Sequence, residues 1–575
     1  MGARIPRGDA GGHGHLWLTG LGQGRATNTG TPCLAWRISV DPLPEATLSY
    51  WVDSAPGPSN SDWPPLPDEA DVLVLGAGIA GLTTAYLLAR AGRSVTVLEA
   101  ARIAEGVSGH TTAKVTSQHN LIYADLTRRY GHEKARLYGE SQQAALGWIA
   151  AQVGELGVDC DFRRRHNHVY AEDPSYLDTL RSEAGAADEL GLPAEFLPEV
   201  DLPFRVAGAV RFRNQAQFHP RKWLLALAEA IIEAGGQILE GVRATGLGRT
   251  DESLVHTSAG DIRARDVVVT THYPVFDRGA YFSRLIPKRV LLMAAPDYSG
   301  TLSEGMYIAA DTGHSMRTTP DGTGGEMLLL GGAGYHPGEE PEVEERFRKL
   351  AAWGDERLKV SRFSHRWATQ DNSSIDRLPY IGRYHPLAKH LWVAAGFGLW
   401  GMTNGTVAGL LLADLVNGGD NPWSRLYDPA RLNVRQSASK LASLGLKTGL
   451  HYTADYPRAF APGDKIAELR PGEGAVTHVG RHPVAAHRDA EGRLTAVSAV
   501  CTHLGCLVAF NDAEQTWDCP CHGSRFAVDG SVRHGPATKP LKPIKIDDVP
   551  PPDEPPSDAP SPDAIPPSAP SPETP

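Results

Sequence analysis

Cysteine is scarce, with six among 575 residues. A disulfide-built scaffold needs a denser supply, so the fold must rest mainly on buried apolar surface. The sequence also lacks an apolar run close to the ~20 residues that span a bilayer. Its best candidate, Val407 to Val416, contains Asp414 and reads as a buried helix, so no membrane span is expected. Positive charge is not in excess either: 56 Lys and Arg against 67 Asp and Glu give a net charge of −11, which argues against a nucleic-acid partner. Glycine and charge occupy the first residues where an export signal has an apolar core, and the expected location is therefore the cytoplasm. The length exceeds what one hydrophobic core organises, and about two to four domains are expected.

Four of the six cysteines fall between positions 501 and 521, which indicates a metal site before it indicates a scaffold. The outliers, Cys33 and Cys160, read as small packed or incidental thiols. Residues 1–68 read as a disordered or extended lead: the first 40 are rich in Gly, Arg and Thr, and the prolines of 52–68 exclude helix and central strand. Residues 69–420 alternate apolar β runs with helical stretches near 120–155, 221–234, 340–353 and 404–416. A weakly patterned linker over 421–460 follows. Short β runs punctuated by glycine and proline over 461–548 predict a small all-β domain. Twelve prolines from 550 onward make 549–575 a solvated tail.

The first ordered segment is a βαβ unit. Asp71 to Leu75 is an apolar strand, and Gly76, Gly78 and Gly81 then form GxGxxG, with Ile79 and Ala80 opening the helix. The first two glycines allow a tight turn and close backbone approach, and the third lets helix pack on strand. The helix N-terminus offers its amides to a diphosphate. Glu99, with Ala100 beside it, closes the next strand where a carboxylate accepts from ribose hydroxyls. This pattern alone does not separate FAD from NAD.

Two further stretches favour FAD by resemblance. SGHTTAKVT (108–116) and GFGLWGMTNG (396–405) are similar to the flavin-contacting loops of the D-amino-acid oxidase family, which includes glycine and sarcosine oxidases. The resemblance implies contacts from Ser108, His110, Thr111 and Thr112 in the first loop. In the second it implies Gly396, Gly398, Leu399, Trp400, Gly401, Met402 and Thr403. It also implies a following helix, starting near Thr403 or Asn404, whose N-terminus stabilises reduced flavin. Pro379 and Gly382 resemble residues at the end of the family's substrate-side sheet. His110 raises covalent flavin attachment, although a polar loop residue is the plainer reading. The RRRHNH run at 163–168 suits carboxylate recognition or, more simply, a solvated strand edge. Trp400 either walls the substrate cavity or packs ordinarily.

Near the C-terminus, Cys501, His503 and Cys506 face Cys519, Cys521 and His522 across twelve intervening residues. Zinc would accept two Cys and two His, but it gives no reason for the second cysteine in each loop. The segment resembles Rieske proteins, in which each loop gives one Cys and one His to a two-iron, two-sulfur cluster. That resemblance implies Cys501, His503, Cys519 and His522 as ligands and a loop-to-loop disulfide between Cys506 and Cys521. It also gives Ser524 as a hydrogen-bond donor to the cluster, Leu504 and Gly535-Pro536-Ala537 as its cover, and Phe526 where many respiratory Rieske proteins have tyrosine.

The expected architecture is thus an α/β Rossmann-type FAD-binding domain interleaved with a mixed-sheet substrate domain, followed by the all-β Rieske domain. A flavin takes two electrons and the cluster carries one, so the pair suits an oxidoreductase that oxidises an amine or amino acid and passes electrons singly to an external acceptor. No catalytic acid or base is assigned, because the chemistry demands none. The alternatives are a reductase or a redox-sensing electron relay. For NADH reduction a second nucleotide unit would be needed, and GGAGYHPG has Pro337 where its third glycine belongs.

Overall fold

The computed structural model describes residues 43–44, 47–58, 64–248, 253–276, 278–300, 302, 305–339, 342–431, 466–479 and 482–545. The expected disordered start with Cys33, most of the expected linker and the proline-rich tail lie outside the described residues.

Val- and Leu-rich runs with no polar alternation suit strands covered on both faces. Glu69–Leu75 is such a strand, and it pairs in parallel with Val95–Leu98 on one side and Gly260–Val269 on the other. Gln237–Leu239 and Leu391–Ala395 extend this sheet in parallel, and Tyr380–Arg383 closes one edge antiparallel. The helices Ile79–Arg90 and Gly401–Val416 cover it and meet through small residues. A Cβ on Gly409 would stand 2.3 Å from Thr83, and one on Gly405 would stand 2.6 Å from Ile79.

The second sheet is mixed and has nine strands. Its order runs from His365–Ser374 through Leu285–Ala295, Glu326–Tyr335, Ser315–Pro320 and Gly305–Ala309 to Arg163–Ala171, Gly208–Gln217 and Lys114–Val115. Chain segments alternate between the two sheets, so neither sheet is a contiguous stretch of sequence. The C-terminal part has one three-stranded and one four-stranded antiparallel sheet. Trp517 and Phe526 are fully buried between them and the cysteine loops.

Several expectations change. The helical stretch at 120–155 breaks into Tyr123–Tyr130 and His132–Glu155, because Gly131 turns the chain at φ +80°. Helix Leu177–Glu189 was not anticipated. The lead is not extended throughout: Tyr50–Ser54 is a helical turn that buries Trp51, whose indole N–H donates to the Thr111 carbonyl at 2.7 Å. Arg163–Ala171 lies inside the sheet from His166 onward, where Gly305–Ala309 and Gly208–Gln217 pair with its two sides, while Arg163–Arg165 pair on one side only and Arg163 ion-pairs with Glu326. Pro379 and Gly382 lie at the edge of the nucleotide sheet, not the substrate-side one. Cys160 is a packed thiol, and burial pushes its pKa up to about 12.

The Rieske part is seated on the flavin part by buried polar groups. Arg289 is fully buried and ion-pairs with Glu514, and its Nε donates to the Tyr335 hydroxyl at 3.0 Å. Arg525 links Glu514 and Asp518, at 3.0 Å from each. Asp512 accepts from the backbone N–H of Val343 and Glu344 at 2.9 and 3.1 Å, capping the start of helix Val343–Leu358. An unpaired buried charge costs far more than a paired one. Glu514→Ala should therefore lower stability by about 3–5 kcal/mol, whereas Arg289→Met with Glu514→Leu should lose much less. Urea unfolding of the three proteins checks this, and equal losses would contradict it.

Candidate flavin cavity and iron–sulfur loops

A cavity of ≈ 800 Å³ opens at the C-terminal ends of the parallel strands. Dinucleotides bind in such positions, and the residues fit one. Gly76 has φ +102°, and a Cβ on Gly81 would lie 1.9 Å from the Gly76 carbonyl oxygen, so the turn and helix cannot carry side chains there. Glu99 Oε2 accepts from the Ala77 N–H at 2.8 Å and Oε1 from the Ala101 N–H at 2.9 Å. Burial raises the Glu99 pKa. Ser108 Oγ accepts from the Ile79 N–H at 3.1 Å, tying the second loop to the helix start.

Most expected contacts line the cavity: Gly76, Gly78, Ile79, Ala80, Glu99 and Ala100 from the βαβ unit, and Ser108, Thr111 and Thr112 from the next loop. Gly396, Gly398, Leu399, Trp400, Gly401 and Met402 line its other end. Three of the expected residues stand behind it. Gly81 packs helix on strand, and the ring of His110 turns back to the Gly106 carbonyl. Thr403 donates to the Thr116 carbonyl at 3.0 Å. The late helix begins at Gly401 with Trp400 at its cap position, not at Thr403 or Asn404. Those two side chains are spent elsewhere, with Asn404 donating to the Phe397 carbonyl at 3.1 Å.

Trp400 stacks on His119, with ring centroids 5.0 Å apart. The Thr116 carbonyl accepts from His119 Nε2 at 3.0 Å, while Nδ1 accepts from the Tyr138 hydroxyl at 2.5 Å. Burial pushes the His119 pKa down to about 3, so a neutral ring backs the tryptophan. Sequence reasoning missed Arg243, Thr270, Thr271 and His272, whose signal was their place at strand ends. It also missed Arg533, His534, Gly535 and Ala537, Rieske residues that line the same cavity.

Asp371 orders the rim. Its Oδ2 accepts from the Leu399 N–H at 2.5 Å, holding a residue at φ +73°, and its Oδ1 accepts from His272 Nε2 at 2.9 Å.

The two cysteine loops repeat one geometry. The Gly505 N–H donates to the Cys501 carbonyl and the Gly523 N–H to the Cys519 carbonyl, each at 3.0 Å, and both glycines have positive φ. Cys506 and Cys521 form a disulfide. Cys519 Sγ lies within 4.8 Å of both of those sulfurs, but the disulfide removes them as thiolate ligands. Left over are the buried free thiols of Cys501 and Cys519 and the rings of His503 and His522, 4.9 Å apart. Two thiols and two imidazoles are the donor set of a Rieske cluster and fit it. A hydrogen bond from Cys519 holds the Cys501 thiol below its ordinary pKa. Burial brings that of His522 down to about 3, leaving a neutral imidazole for a metal. Ser524 is buried, hydrogen-bonds Cys501 and accepts from the Ala537 N–H at 3.0 Å. Leu504 is exposed on the rim of the first loop.

Both histidines face the flavin part. Tyr273 meets the His503 ring edge-on at 6.3 Å, and Phe282 meets that of His522 at 6.0 Å. Gln370 Nε2 donates to the Gly523 carbonyl at 2.8 Å.

The dinucleotide cavity and the paired loops define a flavoprotein joined to an iron–sulfur electron carrier. The chain belongs to the FAD dependent oxidoreductase family (DAO), whose model matches residues 71–415, and it carries a Rieske [2Fe-2S] domain matched over 461–545. It is an FAD-dependent oxidoreductase, and its cofactors are FAD and a two-iron, two-sulfur cluster. It is 34% identical over 507 residues to YhfW of Bacillus subtilis (strain 168), named as a Rieske 2Fe-2S iron-sulfur protein, covering 88% of this chain and 98% of that one. It is 26% identical over 393 residues to the gamma-glutamylputrescine oxidoreductase of Escherichia coli (strain K12), covering 65% and 90%. Glycine oxidase from Geobacillus kaustophilus shares the fold, with a TM-score of 0.56, 19% identity, and coverage of 64% of this chain and 100% of that one. Among the described residues no helix is long and apolar enough to cross a membrane.

Phe526 is fully buried opposite Trp517. Phe526→Tyr adds one hydroxyl donor near the cluster, and a hydrogen bond favouring the reduced form by about 0.5–1.5 kcal/mol raises a one-electron potential by about 20–60 mV. Redox titration followed by EPR checks it. An unchanged potential with an intact cluster would mean that this position is not the tyrosine position of the respiratory proteins.

Proposed function

We propose that this protein oxidises an amine or amino acid at its flavin and passes the electrons one at a time through the cluster to an external acceptor. In this reading Cys501, Cys519, His503 and His522 are the ligands, and the cavity-lining residues named above contact FAD. The carrying observation is the packing of both ligand histidines on the flavin part while Rieske residues line the flavin cavity. Bound FAD supplies a hydride acceptor, and the bound cluster supplies a one-electron carrier.

The chain's own residues position and shield. The start of helix Gly401–Val416 directs its amides at the cavity, favouring negative charge there. Trp400, backed by neutral His119, forms an apolar wall. On the sheet side, Lys288 and Lys114 line the cavity. Lys114 Nζ donates to the Tyr307 carbonyl at 2.5 Å and to Ser315 Oγ at 2.6 Å, and burial holds its pKa well below the usual lysine value. Lys114 is thereby spent on the sheet, and Lys288 is the amine that offers a partner for a substrate carboxylate. An amine or amino acid agrees with the names of the gamma-glutamylputrescine oxidoreductase and glycine oxidase relatives.

Anaerobic mixing with separate pools of amines, amino acids, hydroxy acids and NAD(P)H tests the reading. An amine or amino acid should bleach the flavin, and the Rieske EPR signal should follow. Bleaching by NAD(P)H alone would favour the reductase, and bleaching with no later EPR signal would refute the internal relay.

A further inference from the structure

The nucleotide-binding fold explains one wall of the cavity, but a second wall comes from the Rieske hairpin. Arg533, His534, Gly535 and Ala537 all line it. This arm is fixed at two separated points. At one, Arg243 Nη2 donates to the Val532 carbonyl at 3.4 Å, and the same Arg243 interacts electrostatically with Glu99, at the end where the ribose carboxylate sits. At the other, His534 and His272 share a hydrogen bond at 3.0 Å. His272 Nε2 donates to Asp371, and its Nδ1 meets His534 Nε2, which ties the arm to Asp371. Asp371 in turn holds Leu399 of the late glycine loop. The arm therefore touches both ends of the cavity.

Charge gives the arm a purpose. Arg533 is exposed and makes no ion pair among the described residues, although the charge of Asp529 acts on it, and it lines the cavity together with Arg243. Glu99, already bonded to two backbone amides, is a poor counter-charge for both. An anionic ligand in the cavity gives both guanidiniums a counter-charge on that side.

We propose that the Rieske arm 532–537 is part of the FAD site, with the Arg533 guanidinium serving the dinucleotide's diphosphate, so that FAD binding and Rieske seating are one linked equilibrium. This rests on FAD occupying the cavity. Linkage is reciprocal: if seating strengthens FAD binding, FAD must strengthen seating by the same factor.

The test uses the full chain with its cluster retained and FAD removed. FAD is added back while flavin fluorescence quenching gives affinity and hydrogen exchange reports on 525–537. Arg533→Ala should weaken FAD about 10- to 100-fold, the range for a charge-assisted hydrogen bond, and the deficit should shrink in about 1 M salt. Arg533→Lys should recover part of it. Arg493→Ala, which removes the same charge elsewhere in the Rieske part, should leave affinity unchanged. FAD should slow exchange across 525–537 in the unaltered protein, and the Rieske EPR signal of each variant reports that its cluster domain is folded. FAD affinity within about twofold of the unaltered protein for Arg533→Ala and His534→Ala, with no exchange change, would overturn the proposal. Failure of the unaltered protein to rebind FAD would instead overturn the reading on which it rests.

Discussion

The buried Arg289–Glu514 pair and the polar groups around it set the position of everything that matters here. Arg289 projects from a strand of the mixed sheet, and its charge is met by a residue of the Rieske part. Neither half satisfies its own buried groups alone: Tyr335, Asp518 and Arg525 complete the network, and Asp512 caps a helix of the other half. Such a network is costly to leave half-made, so it specifies one docked geometry more than it adds raw stability.

From that docking follows the direction in which the histidines point. With Tyr273 and Phe282 against the rings and Gln370 bonded to Gly523, the imidazole side of the loops is covered by the chain's own flavin part. The exposed rim is marked by Leu504 on the other loop. In the proposed function this arrangement separates an inner face that receives electrons from an outer rim that meets the acceptor. A neutral His522 and the Ser524 hydroxyl complete the surroundings of a cluster tuned by what the protein places near its sulfurs.

Much of this was legible in the sequence because the relevant signals are local. GxGxxG between an apolar strand and a helix, and two Cys and His loops with an extra cysteine each, state their geometry within a few residues. Most of the cavity lining follows from the first, and the Cys506–Cys521 bond is the one that the Rieske resemblance implies. What could not be read depends on distant pairing. Arg163–His168 looks like a charged edge throughout, but a strand far along the chain pairs with its second side from His166 onward and leaves only the arginines open there. Thr403 and Asn404 look like helix caps, but their side chains serve Thr116 and Phe397 while the turn at Leu399 starts the helix earlier. Arg533 and His534 carry no motif, and only the docking of the two halves brings them to the cavity.

The central claim is that flavin and cluster exchange electrons within one chain. Photoreducing the flavin in the holoprotein and timing the appearance of the reduced Rieske signal over a wide range of protein concentration tests it most directly. The account predicts one rate, independent of concentration. A rate that rises in proportion to concentration would show electrons passing between molecules and would contradict it.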